Sequence, residues 1–211
     1  MTIARSLLGS AALGALSMHA FPAVAQLPGE RSAASKHQIS VYFAEMGDDE
    51  LTTLEVGGQV PKVDEEVAYG LRYGQRLTET WSLEFSVGRA ETRVTHLLGA
   101  DVDLDITTFD ADAVWHFARS QRWDPYVAFG VGRAWADLDQ PISGLVDGRP
   151  AIVSDDNNDY TLNAAFGAKY LAGKRTTLQF EARYRYFDQL LDVVEHSLAT
   201  FEPAVAIGWR F

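Results

Sequence analysis

Few residues in this chain have the type and spacing to do covalent chemistry. His116 shares its parity with Asp110 and Asp112, a histidine among carboxylates that would serve either as a proton carrier or as a hydrogen-bonded filler. Catalysis at His116 would also need a nucleophile and a route for substrate, and the sequence supplies neither. His196 and Ser197 are a base and a nucleophile by type, but adjacent residues on an extended segment point to opposite sides, which a Ser–His relay cannot use. Asp101, Asp103 and Asp105 have the opening spacing of a calcium loop. Ile106 stands where that loop needs Gly, however, and Asp112 where it needs Glu. Period two instead puts the three acids on one side of an extended arm. No catalytic, cofactor or metal residue is assigned.

The elements that would position these groups follow from composition and pattern. The chain has 211 residues, a net charge of -11, 47% hydrophobic and 22% charged residues, and no cysteine. Absent cysteine excludes disulfides, thiolate metal sites and cysteine catalysis. The acidic balance excludes a nucleic-acid partner, which needs a basic footprint to displace counterions. Residues 1–25 read as a secretory signal: Arg5 at the start, an apolar run from Ser6 to Ala20 too short to span, and the small-x-small site Ala23-Val24-Ala25. Residues 26–36 read as a short periplasmic N-terminal tail, and 37–211 as one all-β domain.

That domain is built from eight runs alternating with period two. One parity is apolar: Ile39, Val41, Phe43; Val67, Tyr69, Leu71, Tyr73; Trp81, Leu83, Phe85, Val87; Phe109, Trp115; Val127, Phe129, Val131; Leu162, Phe166; Leu178, Phe180, Tyr184; Val205, Ile207, Trp209. The other carries glycine and ions. Most runs have the 9–11 residues that a tilted strand needs to cross a bilayer. The connections alternate long and short, about 20, 5, 17, 5, 24, 6 and 13 residues, the asymmetry of an up-and-down membrane barrel. Aromatic residues gather at both ends of the runs, Trp81, Trp115, Trp123, Trp209 and Phe211 toward one rim, Trp135, Tyr160 and Phe201 toward the other, as for rings at headgroup level.

This alternation over 37–211, the terminal Ile207-Gly208-Trp209-Arg210-Phe211 and the segment Pro125–Gly132 resemble the eight-stranded antiparallel transmembrane β-barrels of the OmpA/OmpX type. The resemblance implies an outer-membrane location and recognition of the last strand by the barrel-assembly machinery through Phe211; its motifs specify architecture rather than activity, and a non-enzymatic role is expected because the features of the enzymatic barrels are missing. Lipid A-modifying barrels are the enzymatic alternative. A deacylase of that kind would show His-x-Ser-Asn on a lipid-facing strand, whereas this chain has His196-Ser197-Leu198-Ala199. A palmitoyltransferase would need an amphipathic helix before the barrel, where residues 26–36 are short and polar.

The inward parity holds Arg72, Arg76, Lys169, Arg183, Arg185 and Arg210 against Glu84, Asp110, Asp112, Glu181 and Glu202, with His116, Asn163 and Gln179 neutral. Eight strands leave a lumen that side chains fill, and nearly balanced charge there predicts a salt-bridge plug rather than a one-sign pore. A small-solute channel is the alternative. The long connections carry 21 acidic residues against Lys62, Arg93 and Arg149, and the short ones are basic, with Arg119, Arg122, Lys174 and Arg175. Arg89 and Arg133 have outward parity at the outer strand ends and are expected to meet the phosphates of lipopolysaccharide, unless a bulge at Gly132 turns Arg133 aside. The expected role is structural, or adhesive through an extracellular surface ligand. The folded protein should run faster unboiled than boiled in a detergent gel of outer-membrane fractions; identical migration would exclude a barrel.

Overall fold

In hydrocarbon no water is available to backbone N–H and C=O groups, so strands that cross it must close on themselves. The computed structural model describes residues 36–47, 49–50, 62–97, 100–117, 120, 122–139, 142–146, 149–153, 156–188 and 198–211. The signal and tail readings for residues 1–35, Arg119, and His196-Ser197 lie outside them. Eight strands form the wall: β1 (His37–Met46), β4 (Glu66–Arg76), β5 (Trp81–Leu97), β6 (Ala100–His116), β7 (Trp123–Leu138), β10 (Asp156–Leu171), β11 (Thr176–Phe187) and β12 (Leu198–Arg210). Short pieces β2 (Asp49–Glu50) and β3 (Lys62–Val63) add to the β5 edge, and β8 (Ile142–Val146) pairs with β9 (Arg149–Val153) as a hairpin.

Every neighbouring pair in the wall is antiparallel, and β1 pairs with both β4 and β12, so the sheet closes as an eight-stranded barrel. The seam is drawn shut at the turn end by mutual bonds between His37 and Phe211 (3.2 and 3.0 Å). Toward the loop end, β1 pairing stops at Ala44↔Ala204, next to Pro203, and resumes where the Gly47 N–H donates to the Phe201 carbonyl at 3.2 Å. Proline has no N–H to give, so the lapse falls beside it. Four-residue turns separate β4 from β5 and β10 from β11; hydroxyls of Thr78 and Ser120 accept backbone N–H bonds in the turns before Trp81 and Trp123.

Side chains sort by parity. Phe129, Phe166, Leu162 and Ile207 are more than half exposed on the outside, while Glu84, Asp110, Asp112 and His116 are at most 2% exposed inside. A water-soluble protein reverses this order; here lipid is the solvent of the outer face.

One expectation is corrected. The third connection, expected as a loop of about 17 residues, is mostly strand: β5 and β6 run to Leu97 and Ala100, with pairing from Trp81↔Trp115 through Val94↔Val102. The residues of that stretch still alternate, but in the opposite sense, so a search for apolar-outward strands ends too early. Outside are Arg89, Glu91, Arg93, Asp101, Asp103 and Asp105; inside are Ala90, Thr92, Val94, Val102, Leu104 and Ile106, all buried. The strands continue into water, where an apolar interior and a polar exterior are favoured. Strand β7 changes sense likewise, with Val127, Phe129 and Val131 outside before Arg133, and Ala134, Ala136 and Leu138 buried beyond it. Val94, Val102, Leu104, Ile106, Leu138, Phe187 and Leu198 join one apolar cluster at the loop end. The three acids of the false calcium loop do share the outer side of β6, and Asp101 accepts the N–H of His96 at 3.0 Å, a residue with φ of 61° at the irregular tip of the hairpin.

This division of solvents predicts opposite outcomes for similar changes. Phe129→Arg should destabilise the barrel by about 2–4 kcal/mol in bilayers, whereas Arg93→Ala, on an exposed pair, should leave the unfolding midpoint unchanged. Denaturant unfolding in lipid vesicles reads both.

Candidate functional site

The inward parity of six strands converges on one network. Arg72 of β4 forks onto Glu181 of β11 with bonds of 3.0 and 2.9 Å. The Arg183 Nε also reaches Glu181 (3.1 Å), and its Nη2 reaches Asp112 of β6 (2.8 Å). Lys169 of β10 ion-pairs with Glu84 of β5, which also lies 3.9 Å from the Arg72 Nε. Toward the loop end, Arg185 binds Asp110 (2.9 Å) and lies 3.5 Å from Glu202 of β12. Thr161 and Asn163 donate to the other Asp110 oxygen at 3.2 and 3.3 Å. The Arg72–Glu181, Arg183–Asp112, Lys169–Glu84 and Arg185–Asp110 pairs join strands that are not ladder neighbours, so they cross the lumen.

Two tyrosines complete the filling. The Tyr126 hydroxyl donates to Glu181 at 2.5 Å and accepts from the Gln179 amide at 2.7 Å. Arg72 lies over the Tyr42 ring at 5.3 Å, and Lys169 over the Tyr126 ring at 5.5 Å. Glycines make the space: a Cβ at Gly70 would collide with the Tyr42 ring and the Val87 carbonyl, and one at Gly167 would meet the Tyr126 hydroxyl. Sequence reading missed both tyrosines because it sought ions and glycine inside. Their parity with Ser40 and Ala128 was the available signal.

Toward the turn end the structure assembles a group the sequence did not predict. His116 Nε2 is 2.7 Å from the Ser82 hydroxyl, and its Nδ1 is 3.0 Å from Asp124. The other Asp124 oxygen accepts from Arg76 at 2.8 Å. Ser–His–Asp contacts of this reach are those of a nucleophile, a base and its orienter. Ser82 and His116 are 6% and 1% exposed, and Ser82 sits mid-sheet between β4 and β6, whose ladders engage the neighbouring amides. Ser82 and Asp124 were missed as partners because they come from different strands, and only the register sets them at the level of His116.

The outward cations are engaged by side chains. Arg89 reaches Asp105 at 2.8 Å and Glu91 at 3.4 Å, and Arg93 reaches Asp103 at 2.8 Å. Arg133 donates to Asn158 at 2.6 Å and covers the Tyr160 ring at 5.1 Å. The β6–β7 pairing runs unbroken from Asp110↔Gly132 to Phe109↔Arg133, so the bulge considered at Gly132 does not form, and Arg133 keeps its outward side. Arg210 sits half-buried at the turn end, lining a cavity with Arg76, and Phe211 is exposed with its ring 5.7 Å from that of His37. Among the described residues, no group of acids and histidines has a metal-holding arrangement.

Glu181→Gln should destabilise the barrel by about 3–5 kcal/mol, because it leaves Arg72 and Arg183 buried around a neutral amide. A double-mutant cycle of Lys169→Met with Glu84→Gln should show a coupling of at least about 1 kcal/mol across the lumen.

Comparison with known proteins completes the picture. No curated protein matches the sequence. Three solved structures share the fold: Neisserial surface protein A, NspA (15% identity, TM-score 0.62, covering 84% of this chain and 99% of that one); the outer membrane protein OprG of Pseudomonas aeruginosa (13%, 0.57, 84% and 97%); and the attachment invasion locus protein Ail of Yersinia pestis, in complex with the heparin analogue sucrose octasulfate (16%, 0.51, 83% and 97%). A family model for the outer membrane protein beta-barrel domain matches residues 8–211. With its closed eight-stranded wall and lipid-facing apolar parity, this chain belongs to the outer membrane protein beta-barrel domain family.

Proposed function

We propose that this chain is a non-enzymatic barrel with a structural and surface-interaction role in the outer membrane, its lumen shut by paired charges. The observation that carries the reading is the run of contacts from Lys169 through Glu84, Arg72, Glu181 and Arg183 to Asp112, which spans the lumen beneath the apolar cluster. A pore needs water and a favoured sign of charge along its axis; this axis alternates in sign and is capped by Leu104, Ile106 and Leu138. A channel would have to break several buried pairs to open.

The exterior supports the surface role. Exposed alternating charges on β5 and β6 stand beyond the lipid boundary, with Arg89 and Arg133 at the level where phosphates of lipopolysaccharide meet the barrel. Arg89 already holds Asp105, so its contact with a phosphate is a shared one. The acids Glu91, Asp101, Asp103 and Asp105 oppose a polyanion such as the heparin analogue seen with Ail, and favour a cationic or neutral extracellular partner.

In planar bilayers the protein should give no sustained, well-defined conductance, while Arg183→Ala with Arg72→Ala should produce leak events. Steady unitary currents from the unaltered protein would replace this reading with the channel. A fluorophosphonate probe should leave Ser82 unlabelled; labelling lost in Ser82→Ala and His116→Ala would make the protein a serine hydrolase.

A further inference from the structure

Small and large side chains alternate on the lipid-facing wall of β10, β11 and β12. Register sets Ala182 between Phe166 and Pro203, while Ala168, Phe180, Val205 and Phe43 make the next row. The two alanines leave a groove of about 650 Å³ among the rings, which runs on across β1 to Val67 of β4. Its one outward-facing ion is Glu45, exposed at the loop end of β1. A hollow holds an acyl chain better than a flat wall does, because the chain then touches protein on more than one side.

Towards the periplasm the same strands end in a cationic turn. Residues 172–175 join β10 to β11, and Lys174 and Arg175 are both exposed there. Among the described residues neither is ion-paired with a carboxylate, and Asp124 at this end is held by Arg76 and His116. Arg175 lies over the Trp209 ring at 6.0 Å, and the rings of Trp123 and Tyr170 meet at 4.9 Å close by. Exposed rings of this kind sit at headgroup level, so the two cations stand where lipid phosphates lie.

The spacing fits one leaflet. Phe180 follows Arg175 by five residues and Ala182 by seven, which on a tilted strand is a depth of about 13–18 Å. The hydrocarbon of one leaflet is about 15 Å deep, half of the core. A chain whose headgroup rests on Arg175 therefore ends in the groove. Charge sets the direction: the turn end attracts a phosphate, and Glu45 at the opposite end repels one. We propose that β10, β11 and β12 form a site for one phospholipid of the turn-side leaflet, with an anionic headgroup on Lys174 and Arg175 and an acyl chain in the groove.

Native mass spectrometry of the folded barrel, released from detergent containing equal amounts of dipalmitoyl phosphatidylglycerol and dipalmitoyl phosphatidylcholine, tests it. One phosphatidylglycerol per barrel is expected, preferred about tenfold or more over phosphatidylcholine. Lys174→Gln with Arg175→Gln should bring the two lipids to equal retention, while Arg93→Gln at the outer end changes nothing. Ala182→Leu, which fills the groove, should lower retention of both lipids and keep the preference. The unaltered chain supplies a test that needs no variant to fold. Dihexanoyl phosphatidylglycerol, whose chains stop short of Phe180, should be retained several-fold less than the dipalmitoyl lipid. Equal retention of the two headgroups by the unaltered protein, a preference that survives Lys174→Gln with Arg175→Gln, or equal retention of short and long chains overturns the inference. So does a dimer that Ala182→Leu dissolves, since a second copy would then occupy the groove.

Discussion

Everything in this molecule depends on the requirement that each backbone N–H and C=O within hydrocarbon find a partner in the chain itself. Closure of β1 onto β12 meets that requirement, and it fixes the size of what lies inside. Eight strands leave room for side chains and little else. An ion pointing inward then has no bulk water to turn to, so its counter-ion must come from across the barrel. Arg72, Arg183 and Arg185 meet their carboxylates in this way, and Gly130 and Gly132 leave the room that Asp112 and Asp110 occupy. The charges therefore serve as packing as well as electrostatics, and they join strands that the ladder keeps apart.

The same strands pass through two solvents. Below Arg89 and Arg133 the apolar parity faces outward into acyl chains; above them it turns inward and forms a small aqueous-type core around Leu104, Ile106 and Phe187. The backbone is continuous through the change, with β5 and β6 paired on both sides of it. One ladder thus carries two opposite hydrophobic arrangements, and the level at which they exchange marks the edge of the hydrocarbon. The apolar core above and the ion network below fill the lumen by different means.

The two ends differ chemically. The outer extensions are acidic and their arginines are held by neighbouring carboxylates, so their surface is a patchwork rather than a single field. The turn end gathers cations around a recess, with its two carboxylates already engaged. A barrel whose middle is shut presents these ends to separate compartments, and each has to be understood by its own charge.

Much of this was readable from residue order. Period-two alternation placed Ile39, Leu71, Phe129 and Ile207 on the lipid side and Arg72, Glu84, Asp112 and Arg183 inside, since strand parity is a local property that every residue obeys. The extension of β5 and β6 was misread because the rule for which parity is apolar depends on the surrounding solvent, and the solvent changes at a height that only the assembled barrel defines. Which groups pair was also beyond the sequence: Lys169 meets Glu84, and His116 meets Ser82 and Asp124, through strand order and register. Alternation determined the barrel and the character of its two faces by itself. The tertiary structure alone decided the partners, because lumen contacts join residues far apart in the chain whose depths are set by how the closed sheet is staggered.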